Sequence, residues 1–190
     1  MNKQPEITAA TRQRIVDAFW ALYENSPAAQ IRIKEIASGA GINRCTFYQY
    51  FTDIYDILRQ EEDRIIREII ERRAALDSAS GAAEMISGIS EMYLANGGYL
   101  CILTGENGDP GFALLLKERL LAEFARREGL PVSPETSIVF GFGLNGLLAA
   151  FRAWYLGTPR LPAEDFFTLA ESMIIRGIPS ALRELKRRRL

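Results

Sequence analysis

The run Ile33-Lys34-Glu35-Ile36-Ala37-Ser38-Gly39-Ala40-Gly41-Ile42-Asn43-Arg44-Cys45-Thr46-Phe47-Tyr48-Gln49-Tyr50-Phe51 restricts the fold more than any other stretch of the chain. Ile33, Ile36, Ala37 and Ala40 recur at helical spacing, Gly41 accepts a positive φ, and Asn43 is a favoured N-cap for a second, short helix. The pattern predicts helix, tight turn, helix. Ala37 is small where two helices must cross, while Ile42 and Phe47 are apolar where the second helix must pack back on the first. The outward face of that second helix carries Arg44, Cys45, Thr46, Tyr48, Gln49 and Tyr50, a set of donors and short side chains suited to a DNA major groove. The spacing alone also fits many buried helical hairpins.

Around this motif the rest of the chain reads as helix throughout. Ile15, Ala18, Phe19, Leu22 and Tyr23 give a first helix from Thr8 or Thr11 to about Asn25, where Asn25-Ser26-Pro27 ends it. Ile31 to Gly39 forms the second helix. Thr52-Asp53 caps a long fourth helix from about Ile54 to Asp77, whose inner face is Ile57, Leu58, Ile65, Ile66, Ile69 and Ile70. Beyond the small, flexible Ser78-Ala79-Ser80-Gly81, helices are expected over 82–96, around 99–104, and over 111–128, 135–156 and 162–176. No strand pattern competes, so the fold class is all-α.

Composition removes several function classes. The 190 residues are 48% apolar and contain no histidine, which eliminates Ser/His/Asp and Cys/His nucleophilic sites and most zinc sites. Cys45 and Cys101 lie far apart, so no disulfide framework is expected and a reducing, cytoplasmic setting is the natural one. Gly141-Phe142-Gly143 sits inside an apolar helical stretch with no preceding strand, and packed helices explain it better than a phosphate cradle. The stretch from Ile138 to Tyr155 is interrupted by Gly141, Gly143, Asn145, Gly146 and Arg152 and is not read as a membrane span. No catalytic residue, metal ligand or cofactor site is predicted, and the chain is not read as an enzyme. Net charge is −1, with seven basic and six acidic residues in the first sixty, so any grip on DNA must come from a few placed groups rather than a broad basic patch. The tail Lys186-Arg187-Arg188-Arg189 is read as a solvated helix end.

The string Gly41-Ile42-Asn43-Arg44-Cys45-Thr46-Phe47-Tyr48-Gln49-Tyr50-Phe51, followed by Asp53, Asp56, Ile57 and Leu58, resembles the most characteristic segment of the TetR family of transcriptional regulators. Thr11-Arg12-Gln13-Arg14-Ile15-Val16-Asp17-Ala18-Phe19 is similar to that family's first helix, so the resemblance covers about the first third of the chain. It implies a three-helix DNA-binding domain over 8–68, with its helix-turn-helix at about 32–51, joined by the long helix to an effector-binding and dimerisation domain over 78–190. The implied DNA-contacting residues are Arg12, Arg32, Lys34, Asn43, Arg44, Cys45, Thr46, Tyr48, Gln49 and Tyr50. Among these, Thr46, Tyr48 and Tyr50 match backbone-contacting positions. Two positions depart from the family pattern: Arg32 replaces the usual threonine or serine cap, and Ile54 replaces a lysine that grips the backbone.

The resemblance further implies a ligand-responsive repressor that binds a palindromic double-stranded operator as a homodimer. The dimer would be built on its last two long helices, whose Ile138, Phe142, Leu148, Phe151, Phe166, Phe167, Leu169, Met173 and Ile174 exceed what a single surface helix pair needs. Met85, Ile89, Met92, Tyr93, Tyr99, Cys101, Phe112, Leu116, Phe140 and Trp154 are candidates to line an unidentified effector's cavity, although residue by residue each also suits plain core. The rival reading is a helical protein-interaction partner that kept this fold and lost operator binding.

Overall fold

The computed structural model describes residues 5–76, 82–128, 131–158, 161–170, 172–173 and 177, without the side chains of 5–7, 72–76, 82–92 and 127–128. The described residues are helical and contain no strand. The helices are α1 (Pro5–Tyr23), a 3₁₀ turn (Ala28–Gln30), α2 (Ile33–Gly39), α3 (Arg44–Phe47), α4 (Ile54–Leu76), α5 (Ala82–Leu103), α6 (Pro110–Glu128) and α7 (Pro134–Leu156). A further helix, α8, covers 163–170. Two compact units result, one made of Met1–Ile65 with Ile102–Ala113 and the other of Ile66–Cys101 with Leu114–Leu190. Asp77 to Gly81, most of 171–176 and the basic tail lie outside the described residues.

In the first unit, α1 turns Ile15, Phe19 and Tyr23 inward, and Phe19 stacks on Tyr23 at 5.2 Å between ring centroids. Ile36 and Ala37 of α2, Phe47 of α3 and Ile57 of α4 are buried with them. The start of α4 is fixed by a reciprocal cap, in which Asp53 Oδ1 accepts the Asp56 N–H at 2.7 Å and Asp56 Oδ2 accepts the Thr52 N–H at 2.9 Å. The Thr52 amide is the main reason the Asp56 carboxyl is held below its ordinary range.

In the second unit the core is aromatic. Trp154 lies parallel to Phe166 at 4.8 Å, Tyr93 meets Phe151 at 5.1 Å, and Phe167 touches Tyr93 and Phe166. The helical break expected between 96 and 99 does not occur, because α5 continues through Gly97 and Gly98. A Cβ on Gly97 would lie 2.7 Å from Tyr155 Cε2 and 3.0 Å from Phe151 Cζ. This glycine therefore admits the rings of α7 against α5 and does not end the helix. Ser133 caps α7, with Pro134 in its first turn, and places the helix start one residue before the expected Glu135.

One face of α7 has no partner among the described residues of the chain. Ile138 is 71% exposed and Phe142 80% exposed, and Asn145, Gly146, Ala149, Ala153 and Leu156 continue the same exposed, uncharged stripe at helical spacing. A Cβ on Gly143 or Gly146 would meet nothing within 4 Å, and only the Lys117 side chain approaches Gly141. By length and composition α7 could cross a membrane, with 11% of its apolar window buried. Phe151, Phe166 and Phe167, grouped with this face in the sequence reading, belong to the aromatic core.

Candidate nucleic-acid interface

The helix-turn-helix geometry begins at the C-terminus of α2. The Ala40 N–H donates to Ile36 O, the Gly41 N–H to Ser38 O and the Ile42 N–H to Ala37 O, closing a Schellman-type turn with Gly41 at φ 63°. Only Arg14 Nη1, 3.9 Å away, comes near the position of a Gly41 Cβ, so the glycine is required by backbone angle and not by crowding. Gly41→Ala should therefore cost about 1–2 kcal/mol, the left-handed penalty for an L-residue. It should lower the urea midpoint while leaving the denaturant slope unchanged; an unaltered midpoint would refute this role for the turn.

Asn43 Oδ1 accepts the Thr46 N–H at 2.7 Å, so this side chain is the N-cap of α3. The α-helix itself lasts one turn. Beyond it the chain tightens, with the Gln49 N–H bonded to Thr46 O and the Tyr50 N–H to Phe47 O. Phe47 and Phe51, both buried and 6.0 Å apart, anchor the segment. Arg44, Cys45, Gln49 and the 58% exposed Tyr48 remain outside, while Thr46 and Tyr50 are half-buried. The fold thus brings together Asn43 through Tyr50 and gives Asn43 a structural task as well.

The other predicted contacts are distributed differently. Lys34 is exposed on α2. Arg32 precedes α2 and its side chain makes no cap; the Glu35 carboxylate accepts the Arg32 N–H instead, at 2.8 Å. Arg12 is half-buried and tied inward: Nη2 donates to Gln60 Oε1 at 2.9 Å, lies 3.7 Å from Glu61, and the guanidinium covers the Phe51 ring at 5.2 Å. Its observed work is to join α1, α4 and Phe51, just beyond α3. Glu61, buried and also 2.9 Å from Arg64, completes that tie. The sequence reading did not identify it, because a glutamate on a charged helix looks solvated until the fold is known. The exposed Arg14 places its guanidinium beside the turn at Gly41.

The candidate effector residues with described side chains are placed as follows. Tyr93 and Trp154 are part of the aromatic core, and Trp154 Nε1 donates to Leu161 O at 2.8 Å. Phe140 packs on Phe124, at 5.3 Å. Leu116 is buried in the same unit, Tyr99 is half-buried, and Phe112 is fully buried in the other unit. Burial raises the pKa of the Cys101 thiol, opposed by Arg152, whose Nη1 donates to Cys101 O. The Met85, Ile89 and Met92 side chains lie outside the described residues. No cluster of three or more metal-ligating side chains occurs among the described residues.

No protein-family model and no curated protein sequence matches the chain. Solved structures do match it. A TetR transcriptional regulator from Streptococcus agalactiae is 17% identical, covering 86% of this chain and 93% of its own, with TM-score 0.61. The fatty acid degradation regulator FadR from Bacillus halodurans is 17% identical over 92% of this chain and 97% of its own, with TM-score 0.62. FadR from Bacillus subtilis, solved in complex with stearoyl-CoA, is 16% identical over 87% of this chain and 98% of its own, also with TM-score 0.62. These neighbours are transcriptional regulators, not enzymes. Across most of its length, this chain has the all-helical fold of the TetR transcriptional regulators.

Proposed function

We propose that the chain is a dimeric, effector-responsive transcriptional regulator, most simply a repressor, that reads a palindromic operator with residues 43–50. The supporting observation is the exposed row Arg44, Cys45, Tyr48 and Gln49, held by the Asn43 cap, the Gly41 turn and the buried Phe47 and Phe51. A rigid support of this kind lets a few side chains meet base edges without a large ordering cost. The unpaired stripe on α7 supports dimerisation, since its glycines and alanines allow a second helix to approach and it carries no charge to oppose a self-complementary contact. That surface is offered to a partner copy in a cytoplasmic protein and not to lipid. The second unit would take an apolar effector; because one similar structure holds stearoyl-CoA, long-chain acyl thioesters are the first class to screen.

The test is titration of labelled fragments of the host genome at low and moderate salt. A few fragments should retain tighter binding than the bulk as salt rises, because base contacts persist while the counterion-release contribution falls. Equal, weak binding of all fragments at both salts would favour the interaction-partner reading, consistent with Ile54 and Arg32 at positions that depart from the family pattern.

A further inference from the structure

Two neighbouring acids on α4 are both buried and have opposite surroundings. Glu61 sits with Arg12 and Arg64. Glu62, only 4% exposed, has no ion-pair partner among the described residues, and its buried Oε1 has no hydrogen-bond partner. A buried, unpaired carboxylate is costly, whereas the neutral acid can remain there. The groups coupled to Glu62 come from three elements. Asp63 and Arg59 share α4 with it, Asp109 acts on it from the turn between α5 and α6, and Tyr23 of α1 in turn feels the Glu62 charge. Tyr55, also on α4, acts on Tyr23. Arg59, the cation of this group, already lies 4.0 Å from Asp53 and 3.9 Å from Asp56.

The turn that delivers Asp109 is tight. The Gly105 N–H donates to Ile102 O and the Gly108 N–H to Gly105 O, and a Cβ on Gly108 would fall 2.1 Å from Leu103 O. Asp109 then caps α6, with Oδ1 accepting the Gly111 N–H at 2.8 Å, while its own backbone N–H bonds the buried Tyr23 phenol. The Asp109 carboxylate thus sits at the start of a helix, where a negative charge is favourable. The turn, α1 and α4 are thus linked electrostatically through the Glu62 carboxyl, and α6 continues from the turn into the second unit.

We propose that Glu62 is a proton-controlled latch, which holds the turn at 105–109 and the start of α6 against α1 and α4 while it is protonated and releases them when it ionises. Burial, reinforced by the Asp109 and Asp63 charges and offset in part by Arg59, pushes Glu62 up to about 7. Burial, with the same Asp109 charge and that of Glu62, pushes the Tyr23 phenol up to about 12, so Tyr23 stays neutral throughout. Because the folded value of Glu62 lies above its ordinary 4.5, the latch is fully closed below that value and is lost as pH rises through about 7. This behaviour requires neither operator nor effector and stands apart from the function proposed above.

The experiment is amide hydrogen exchange on the full chain between pH 5.5 and 8.5, corrected for intrinsic rates and read at Gly108, Gly111 and Phe112. Between pH 5.5 and 8.5, protection in the unmodified protein should fall about thirtyfold, with most of the fall complete by pH 7 and a plateau above it, since about 1.5 units of the rise from 4.5 to about 7 lie inside this range and each unit is worth a factor of ten. Glu62→Gln should stay protected across the range, and Asp109→Asn, which removes the repelling charge, should move the onset of the plateau to lower pH. A flat profile in the unmodified protein, or the same pH dependence in Glu62→Gln, would overturn the latch. If Glu62→Gln does not fold, Asp109→Asn decides: an unmoved onset refutes the proposal and a lowered one supports it.

Discussion

Arg44→Ala should weaken operator binding by about 1–3 kcal/mol in each half-site and flatten the preference at one base pair per half-site. Arg44 is the first residue of α3, directly after the cap Asn43, so it leaves the helix at its N-terminal turn, where helix-turn-helix proteins contact bases. Its planar fork matches guanine O6 and N7, and lysine would not reproduce that bidentate geometry. Gln49→Ala should act likewise at a different base pair, through a lost adenine contact. Tyr48→Phe should instead weaken all sequences by a similar factor, because a hydroxyl on a phosphate carries no base identity. A base-substitution panel at fixed salt separates these outcomes. An intact preference profile in Arg44→Ala together with a reshaped one in Tyr48→Phe would reverse the assignment of base reading and backbone grip.

Phe142→Asp should produce monomers that remain folded. At 80% exposure the ring contributes little to the core of its own chain, so a charge there is free in the monomer and buried only in the proposed dimer. Losing the second recognition segment should lower operator affinity about 10²- to 10⁴-fold, the gain that two linked contacts ordinarily provide. Light scattering gives the mass and circular dichroism the helicity. A folded dimer carrying Phe142→Asp would place the interface elsewhere. Phe167 cannot serve this purpose, since it is buried against Tyr93 and Phe166 and a charge there would disrupt the second unit's core.

The residues whose roles were legible in the sequence are those whose roles are local. Gly41 and Asn43 are dictated by a turn angle and a cap, and both appear as expected. The periodicity of α4 and α7 gave their extents to within a residue at each described end. Gly97 and Gly98 misled because helix propensity treats glycine as a weakness, while the fold uses Gly97 to admit the Tyr155 ring. Arg12 looked like a free cation because its partners Gln60 and Glu61 are some fifty positions away along the chain. Tertiary distance also hid the Glu62, Tyr23 and Asp109 cluster. The sequence reading made α4 the sole link between the two parts. In the structure α5 and α6 also run from one compact unit into the other, so α4 is not the only helix shared by both.

The most direct test is to select fragments of the host genome on the purified chain, in parallel on Arg44→Ala, and to read the retained sequences. The proposed function predicts enriched sites with two-fold symmetry, half-sites spaced by about one DNA turn of 34–36 Å or a multiple of it, and loss of one conserved base pair in each half-site with Arg44→Ala. Enrichment without symmetry, or the same enriched sites with both proteins, would contradict it.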